Sequence, residues 1–345
     1  MKQILFGIRK LFEAFRNIFI LANNTYSYYP NFSHKTNLHK YFDLLKWLFK
    51  YGEVNKYYYL YGFDIEKKNN IDMNQYMDYR HFIHMRSRGN RNGTNDSLVV
   101  LLRDKYQFYR LMDQNNIPVP KVFAEQIGGE LLDELLNPLT NKKICDYTDY
   151  FAKALNGECG INVALIHNFE DLEQYLEKLS NTDCILQEPV KQHFEMNRLN
   201  PNSVNTIRIV TVKMDKPVLL FALLRVGTKD SKECDNTSQG GIAVGIKADG
   251  YLTEYGFQKP QYGGRVYKHP DTGVVFKDFS IPYFEEAVQL ACKAHGLLYH
   301  IRSIGWDIAI TDNGPVIIEG NDDWELQSFQ ALYGGLRERC EEWLS

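Results

Sequence analysis

The 345-residue sequence predicts an α+β fold in which a mostly helical, aromatic-rich N-terminal region precedes mixed structure and a late antiparallel sheet. Three observations support this fold class. Helix-like and strand-like segments alternate between residues 98 and 190, β-rich sequence covers 204–260, and two adjacent strands follow at 304–321. The regular βαβ rhythm of a Rossmann or TIM fold is missing, so a parallel α/β sheet is not expected.

Composition narrows the class of protein. A net charge of −3 offers no general attraction for nucleic acid, which is not expected as a partner. The six cysteines are scattered without a Cys-x-x-Cys pair, as is typical of reduced thiols in a cytoplasmic protein. Many of the 23 tyrosines lie in the first hundred residues, which suits carbohydrate or interface surfaces as well as ordinary packing.

The first helix is expected at residues 3–22, where apolar residues recur at helical spacing. Arg9, Lys10, Glu13 and Arg16 interrupt every apolar window, so this helix is not expected to span a membrane. Two interpretations stay open: a helix packed on its own domain, which is the commoner outcome, or a basic amphipathic helix on a membrane surface.

The remaining elements are expected in the following order. Two aromatic segments, 41–51 and 54–63, are interpreted as helices, and the polar stretch Arg86–Asn95 as a linker or mobile loop before a division at Asp96–Ser97. After it come a helix from Lys105 to about Gln114 capped by Asp104, a strand near Ile144, a helix at Asn168–Leu179, a strand at Asp183–Glu188, and a helix from Tyr283 to about His295 ended by Gly296.

The last two strands carry a group of oxygen ligands. Ile304–Ile310 and Val316–Asn321 are joined by the turn Thr311–Gly314, so Glu319 and Asn321 point to one face and Asp307 can reach it. Two carboxylates and an amide suit Mg²⁺ shared with polyphosphate oxygens. The alternative is a core hairpin that has acids at its ends.

Several cations are candidates for phosphate contacts. The sequence has no Walker loop and no Gly-x-Gly-x-x-Gly after a strand, so a nucleotide site must be of another kind. Lys105 begins a helix, and Lys153 precedes the flexible stretch 156–160, whose backbone N–H groups could cover phosphates. For each lysine taken alone, a solvated surface role is the commoner outcome. Arg208 lies in a β-branched strand, where a structural salt bridge and a phosphate contact are equally expected.

A second arginine, Arg225, precedes Asn236 and the pair Gly240–Gly241. Two glycines ahead of the strand Ile242–Ile246 indicate either a hairpin bulge or a close approach of backbone to a ligand.

The order of these motifs resembles the ATP-grasp superfamily over residues 100–330. The matching positions are Asp104-Lys105, Pro118-x-Pro120, Lys153 with its glycine loop, Gln187–Val190, Arg208, Arg225, Asn236, Gly240–Gly241, Asp307 and Glu319-x-Asn321. More narrowly, Gln187-Glu188, Gln192-His193, Val204–Arg208, Ile304–Asp307 and Glu319–Asn321 resemble the sugar-transfer-associated ATP-grasp group. The resemblance implies two α+β lobes clasping ATP, at 97–190 and 191–345, after an N-terminal region at 1–96 that lies on the substrate side.

The resemblance also implies roles for individual residues. Lys105 and Lys153 would contact phosphates, with Gly157 and Gly160 in a loop folding over them. Backbone groups of Glu188 and Val190, in a hinge that begins at Gln187, would read the adenine. The residue that holds the ribose is left open among Gln192, His193 and Glu195, and the loop that closes over ATP between Arg86–Asn95 and Thr228–Gln239.

The second lobe would carry the reacting end of the site. Asp307, Glu319 and Asn321 would hold one or two Mg²⁺ ions, with Mn²⁺ as an alternative, and Arg208 and Arg225 would neutralise the transferred phosphoryl group. Asn236, Gly240 and Gly241 would lie near the nucleotide. His193 and His269 are candidate substrate contacts, although a lone histidine is more often structural.

The family reaction joins a carboxylate to an amine through an acyl phosphate. The narrower resemblance implies a cell-surface polysaccharide or its precursor as substrate: a uronic acid amidated by an amine, or an amino acid passed to an amino sugar. The N-terminal helix would then bring a cytoplasmic enzyme to lipid-linked glycans at the inner face of the membrane. The alternatives are an ATP-dependent phosphotransferase acting on a sugar hydroxyl and a non-catalytic nucleotide-binding scaffold.

Overall fold

Two antiparallel sheets organise the chain in a computed structural model. The structure describes residues 2–66, 72–91, 95–133, 137–139, 149–155, 163–179, 182–231 and 235–344. The expected strand near Ile144 and the glycines Gly157 and Gly160 lie outside the described residues.

The N-terminal region contains three helices, α1 (Lys2–Ala22), α2 (Asn37–Tyr51) and α3 (Tyr79–Asn90), and a 3₁₀ turn at Met73–Gln75. Local capping explains their ends. The Thr36 hydroxyl accepts a hydrogen bond from the backbone of His39 where α2 begins, and Gly52, at φ 71°, ends it. The expected helices at 3–22 and 41–51 are therefore present, and α2 begins four residues earlier than expected.

The expected helix at 54–63 is wrong, because this segment forms consecutive turns. Tyr58, Tyr59, Tyr61 and Phe63 are all buried, so the aromatic residues face inward on every side rather than along one helical stripe. Gly62 also adopts a positive φ of 68°, which a helix does not allow.

The expected loop at Arg86–Asn95 is wrong over residues 86–90, which form the end of α3, whereas residues 92–94 lie outside the described residues. Arg86 and Asn90 are buried here, whereas Arg88 is exposed. Asn90 donates to the carbonyl oxygens of Ser303 and Asp322, at 2.9 Å each, and Arg86 donates to that of Trp324. A segment fixed in this way is not a lid for a nucleotide.

The first sheet follows helices α4 (Asn95–Arg103) and α5 (Lys105–Gln114), and α4 runs through the expected division at Asp96–Ser97. Asp104 caps α5 as expected. The strands pair in the order β2-β1-β5-β3-β4, with helix α6 (Phe169–Leu179) between β4 and β5. Their bounds are β1 (Val122–Ile127), β2 (Glu130–Asp133), β3 (Tyr150–Ala154), β4 (Val163–Ile166) and β5 (Cys184–Gln187).

The second sheet has the order β10-β9-β8-β7-β6-β11-β12, and it contains the expected closing hairpin, where Thr311 pairs with Gly314. Its strands are β6 (Thr206–Lys213), β7 (Pro217–Val226), β8 (Ile242–Ile246), β9 (Leu252–Phe257), β10 (Arg265–Val266), β11 (Ser303–Thr311) and β12 (Gly314–Asn321).

Four helices accompany the second sheet. They are α7 (Phe194–Leu199), α8 (Phe284–Leu297), α9 (Gln327–Tyr333) and α10 (Arg337–Leu344), with 3₁₀ turns at Lys229–Ser231, Thr237–Gln239 and Pro260–Tyr262. Helix α8 continues one residue beyond Gly296, which does not end it as expected.

The second sheet is covered on both faces. Ile207, Ile209 and Leu224 pack with α8 in one core, whereas Val210, Val212 and other residues of the opposite face pack with the N-terminal aromatic residues, α9 and α10 in a second core. The N-terminal region is thus packed directly on a face of the second sheet, and that face also carries the candidate site.

Candidate functional site

One row of side chains runs across the second sheet. In register, Glu319 pairs with Asp307, and Asp307 pairs with Arg208 on the neighbouring strand. On the next strand, β7, Leu223 pairs with Arg208. Arg225, two residues further along β7, pairs with Ala243, which pairs with Phe257. The row therefore connects the acids of the closing hairpin to the strand β9.

Asp307 is the buried centre of this row, with 2% of its surface exposed. Arg208 donates to both its oxygens, the second at 3.0 Å, and Arg225 Nη2 lies 2.6 Å from Oδ2. Burial opposes the charge, but the two guanidinium groups outweigh it and hold the pKa of Asp307 well below its usual range. Of the two roles that were equally expected for Arg208, the salt bridge is present, and the phosphate contact stays a prediction.

Asp235, which sequence reasoning missed, supports the second arginine. Its carboxylate accepts from the backbone and hydroxyl of Thr206, at 3.0 and 2.5 Å, and lies 3.8 Å from Arg225 Nε. Burial raises the pKa of Asp235, and Arg225 opposes that rise. Its position directly before Asn236 was the only sequence signal available.

Glu319 and Asn321 adjoin Asp307 on the edge strand, and Asn321 Nδ2 lies 3.4 Å from Glu319 Oε1. Burial and then the charge of Asp307 raise the pKa of Glu319. Glu319 and the amide oxygen of Asn321 fit a divalent cation. Asp307 would join that cation when Arg208 or Arg225 releases one of its oxygens, which would leave that arginine available for phosphate. Among the described residues, no group of three or more His, Cys, Asp or Glu gathers as a metal site, so this set would depend on water and phosphate oxygens to complete the shell.

Lys153 projects from the first sheet towards these acids. Burial lowers its pKa to about 8; Glu319 opposes that shift and the Lys105 ammonium adds to it. Lys105 donates to the carbonyl oxygen of Leu155, at 3.0 Å. Lys153 on β3 and Lys105 at the start of α5 therefore lie on the same side of the cavity.

Most predicted site residues line one cavity of about 890 Å³, which lies in the upper part of the usual range for ligand sites. The predicted residues in its wall are Lys105, Lys153, Gln187, Val190, Arg208, Arg225, Asn236, Asp307, Glu319 and Asn321.

Other predicted residues lie elsewhere and have structural partners. The backbone N–H of Glu188 donates to Lys121, at 2.7 Å, and so is already engaged. His193 caps α7 by accepting from the backbone of Glu195. His269 is fully buried and its Nε2 lies 2.8 Å from the carbonyl oxygen of Gly227. The structural alternative thus accounts for both histidines.

Gly240 and Gly241 shape a tight turn instead of lining the cavity. Gly240 has a φ of 109°, and a Cβ on Gly241 would lie 2.2 Å from the carbonyl oxygen of Asp235. The close approach is to the chain itself, and it fixes Asp235 and Asn236 at the cavity wall.

The residue that holds the ribose and the loop that closes over ATP both stay proposals. Gln192 is occupied by the backbone of Asn200, Ser203 and Asn205, so it is poorly placed to hold a ribose. Of the two candidate closing loops, Arg86–Asn95 is helical over residues 86–90, which disfavours it as a lid, whereas Thr237 and Ser238 from the other loop line the cavity.

The edge of the site has a second set of residues that the sequence did not indicate. Asp322, directly after the edge strand, is buried and binds Arg91 and Arg103 through paired hydrogen bonds of 2.9–3.2 Å. These arginines fix the end of the edge strand next to Asn321. Arg103 precedes Asp104 in the sequence, and this adjacency to a predicted cap was the available signal.

The chain belongs to the sugar-transfer associated ATP-grasp family, whose sequence model matches residues 85–343. The resemblance and the fold class expected from the sequence are thereby confirmed. No curated protein sequence matches the chain significantly.

Solved structures with a similar fold include N5-carboxyaminoimidazole synthase from Aspergillus clavatus in complex with ADP and 5-aminoimidazole ribonucleotide (10% identity, 67% of this chain, 47% of that chain, TM-score 0.41). D-alanine–D-alanine ligase from Bacillus anthracis complexed with ATP is similar at 12% identity (71% and 66%, TM-score 0.41). The biotin carboxylase domain of 2-oxoglutarate carboxylase from Hydrogenobacter thermophilus, with MgADP, ADP and bicarbonate, is similar at 13% identity (67% and 42%, TM-score 0.41). The first of these matches covers about half of the other protein's length.

In the part of the chain that the structure describes, every helix is too short or too polar to cross a membrane.

Proposed function

We propose that the protein is an ATP-dependent carboxylate–amine ligase that works through an acyl phosphate. The observation that carries this proposal is the meeting of the Glu319–Asp307 acid pair with Arg208, Arg225 and Lys153 in one cavity. Phosphoryl transfer depends mainly on positioning and charge neutralisation, so a site of this composition needs no protein nucleophile.

In this proposal Asp307, Glu319 and Asn321 hold the metal, and Lys105 and Lys153 hold the phosphates from the other lobe. A bound Mg²⁺ or Mn²⁺ would supply positive charge and polarise phosphate oxygens. The Gln187–Val190 connection would contact the adenine, with Val190 in the cavity wall. Segments 97–190 and 191–345 would act as the two lobes, and 1–96 would act on the substrate side.

The reaction proceeds in two displacements. A substrate carboxylate oxygen bonds to the γ-phosphorus as the bond to the ADP oxygen breaks, while Arg208 and Arg225 neutralise the transferred phosphoryl group. An amine nitrogen then bonds to the acyl carbon, phosphate leaves with the C–O electron pair, and the nitrogen loses a proton to give the amide. Both steps need ligands held close together more than they need acid–base groups.

The substrate class follows from the family, and we infer a cell-surface polysaccharide or a precursor of one. Either a uronic acid carboxylate or an amino acid carboxylate would be activated. The family description refers to sugar transfer, which supports this choice of substrate.

We infer further that this enzyme acts in the cytoplasm at an anionic membrane surface, because its first two helices expose large apolar side chains. Phe12 and Phe19 on α1 are 77% and 63% exposed, and Phe42 and Phe49 on α2 are 51% and 75% exposed. Each pair is seven residues apart and so shares one face of its helix. Exposed basic residues, which complement anionic lipid, accompany them at Arg9, Lys10, Arg16, Lys46 and Lys50.

Vesicle co-sedimentation tests the membrane proposal. The full chain should bind vesicles of phosphatidylcholine with phosphatidylglycerol and should bind pure phosphatidylcholine far less. Replacing the four exposed phenylalanines by serine should abolish binding, whereas Val275→Ser, at an exposed position outside these helices, should not. Absence of binding by the unmodified chain, or equal binding by the four-serine variant, would remove the proposal.

The ligase proposal is tested by ADP release with Mg²⁺-ATP and a panel of uronic acids and amino acids, with and without hydroxylamine. We expect carboxylate-dependent ADP release and hydroxamate formation. A phosphorylated sugar that survives hydroxylamine would instead identify a phosphotransferase, and nucleotide binding without turnover on any of these substrates would contradict the ligase assignment.

A further inference from the structure

The cavity extends beyond the acid–arginine row to an end that is walled by the N-terminal region. Tyr28, Tyr57 and Leu60 line this end together with Phe257 of β9. From β12 to β9 the sheet order contains five strand spacings, or roughly 24 Å at 4.8 Å each. The interval from β7, which carries Arg225, to β9 is roughly 10 Å by the same spacing. Phosphate-binding groups and aromatic groups thus lie at different ends of one cavity.

The aromatic end is rich in hydrogen-bond acceptors. Gln327 is 3% exposed and lines the cavity, and among the described residues its side-chain oxygen has no hydrogen-bond partner. The exposed carboxylate of Glu325 lies in the same wall and accepts from the Ser328 hydroxyl, at 2.7 Å. A buried acceptor without a partner is costly, so a ligand that donates to Gln327 would be favoured there.

The carboxylate of Glu325 affects the pKa of a tyrosine in the same wall of the cavity. The pKa of Tyr57 is raised to about 12, first by burial and next by Glu325, and Tyr28 contributes in the same direction. The two tyrosines and the carboxylate line the same cavity. Tyrosine and phenylalanine faces carry partial negative charge, so rings and carboxylate together attract a cation.

Contacts within the chain position this wall. The Arg265 backbone donates to the carbonyl oxygen of Tyr28, at 2.9 Å, and the rings of Tyr28 and Phe257 meet edge to face at 6.1 Å. A Cβ on Gly264 would lie 3.0 Å from the Tyr28 backbone, so only glycine allows this contact. Helix α9, which begins with Gln327, packs on β7, β8 and β9.

We propose that this end of the cavity binds the ammonium group of the amine substrate, through Glu325, the side-chain oxygen of Gln327 and the faces of Tyr28 and Tyr57. The subsite rests on the proposed ligase function and names the half of it that recognises the nucleophile. This end of the cavity is negatively charged, whereas the end around Arg225 is positively charged. The carboxylate substrate and the amine substrate would therefore bind at different ends of the cavity.

The spacing agrees with this division. The interval of roughly 10 Å between the backbones of β7 and β9 separates the ammonium from the phosphoryl group at Arg225 while the substrates bind. For the coupling step the ammonium loses a proton, which the Glu325 carboxylate can accept, and the neutral nitrogen then approaches the acyl carbon to roughly 3–3.5 Å. The Lys259 ammonium also lines the cavity, and it donates to the carbonyl oxygen of Ser238, at 2.7 Å. That contact directs the lysine towards the 237–239 turn.

Calorimetric titration of the full chain, saturated with Mg²⁺ and a non-hydrolysable ATP analogue, tests the subsite. The probes are D-glucosamine and ethanolamine, each beside its N-acetyl derivative, which has the same body without the charge. We expect at least one amine to bind ten times more tightly than its derivative. Glu325→Gln and Tyr57→Leu should each weaken that binding at least tenfold, whereas Glu338→Gln, an exposed acid on α10, should not change it.

Equal binding of amine and N-acetyl derivative, or unchanged binding in Glu325→Gln, would overturn the subsite. A thermal melt of each variant identifies loss of fold, and Gln327→Glu provides a second test because an added negative charge should tighten amine binding. Hydroxamate formation by the unmodified chain reports the ligase reaction without the amine substrate. Hydroxamate formation without selective amine binding would therefore reject the subsite alone, and selective binding without hydroxamate would reject the ligase reaction alone.

Discussion

Replacing Lys153 by methionine should stabilise the ligand-free protein, although it removes a residue assigned to ATP. The ammonium is buried, and its pKa falls from 10.5 to about 8. Since a tenfold change in an equilibrium constant corresponds to about 1.4 kcal/mol, this depression amounts to ~3 kcal/mol of cost for keeping the charge in the folded protein. Lys153→Met keeps the length of the side chain and removes that cost.

The lowered pKa of Lys153 determines how the free energy of unfolding changes with pH. Below pH 8 both folded and unfolded chains carry the proton, and the full cost applies. Between pH 8 and 10.5 the unfolded chain binds more protons than the folded one, so the stability of the unmodified protein rises with pH. The advantage of Lys153→Met should be largest below pH 8 and should disappear towards pH 10.5.

Urea unfolding at several pH values measures this difference. Lys178→Met, which replaces an exposed lysine on α6, is the control and should change the free energy of unfolding by less than about 0.5 kcal/mol. In parallel, Mg²⁺-ATP should bind Lys153→Met at least tenfold more weakly at pH 7. A variant that is less stable than the unmodified protein at pH 7 would refute the reasoning, because the ammonium would then be stabilised by Glu319 more than it is penalised by burial.

Three further substitutions test other parts of the structure. Glu319→Gln should lower ATP turnover ~100-fold or more while preserving the fold, because it removes a charge from the residues that would hold the metal. The control, Glu285→Gln on α8, should retain activity. Equal turnover by both variants would contradict the metal site. Gly241→Ala should cost ~1–3 kcal/mol in urea unfolding, since its Cβ would meet the Asp235 carbonyl, whereas Gly296→Ala, with nothing within 4 Å, should stabilise helix α8 by ~0.5–1 kcal/mol. Asp322→Asn should cost ~1–3 kcal/mol by removing the charge that Arg91 and Arg103 share, and an unchanged urea midpoint would show that these half-exposed arginines are satisfied by water.

The closing hairpin was predictable because its information is local. A turn of four residues sets the register, and the period of two places Glu319 and Asn321 on one face without knowledge of the rest of the chain. The same holds for α5, whose cap Asp104 lies beside it in the sequence.

Features that depend on distant partners were not predictable in this way. The polarity of Arg86 and Asn90 indicates a loop until their acceptors, the backbone of Ser303 and of residues 322–324, are known. Asp235 has no motif of its own, because the arginine and threonine that give it a role lie on two other strands. The aromatic wall of the cavity likewise combines residues near 28 and 57 with residues near 257 and 325.

The hydrogen bonds of Gln330 have a consequence for how the protein is made. Its side chain accepts from the backbone N–H of Met77, at 2.7 Å, and donates to the Met77 carbonyl and the Tyr61 hydroxyl. The two ends of the Met77 contact are 253 residues apart. At a synthesis rate of about 5–20 residues per second, the tyrosine-rich segment waits roughly 13–50 s on the ribosome before its partner is translated. During that interval the segment has its partners within the N-terminal region, such as Trp47 and Phe82, but not those of the second sheet and α9, so its packing is completed only after translation of the C-terminal part.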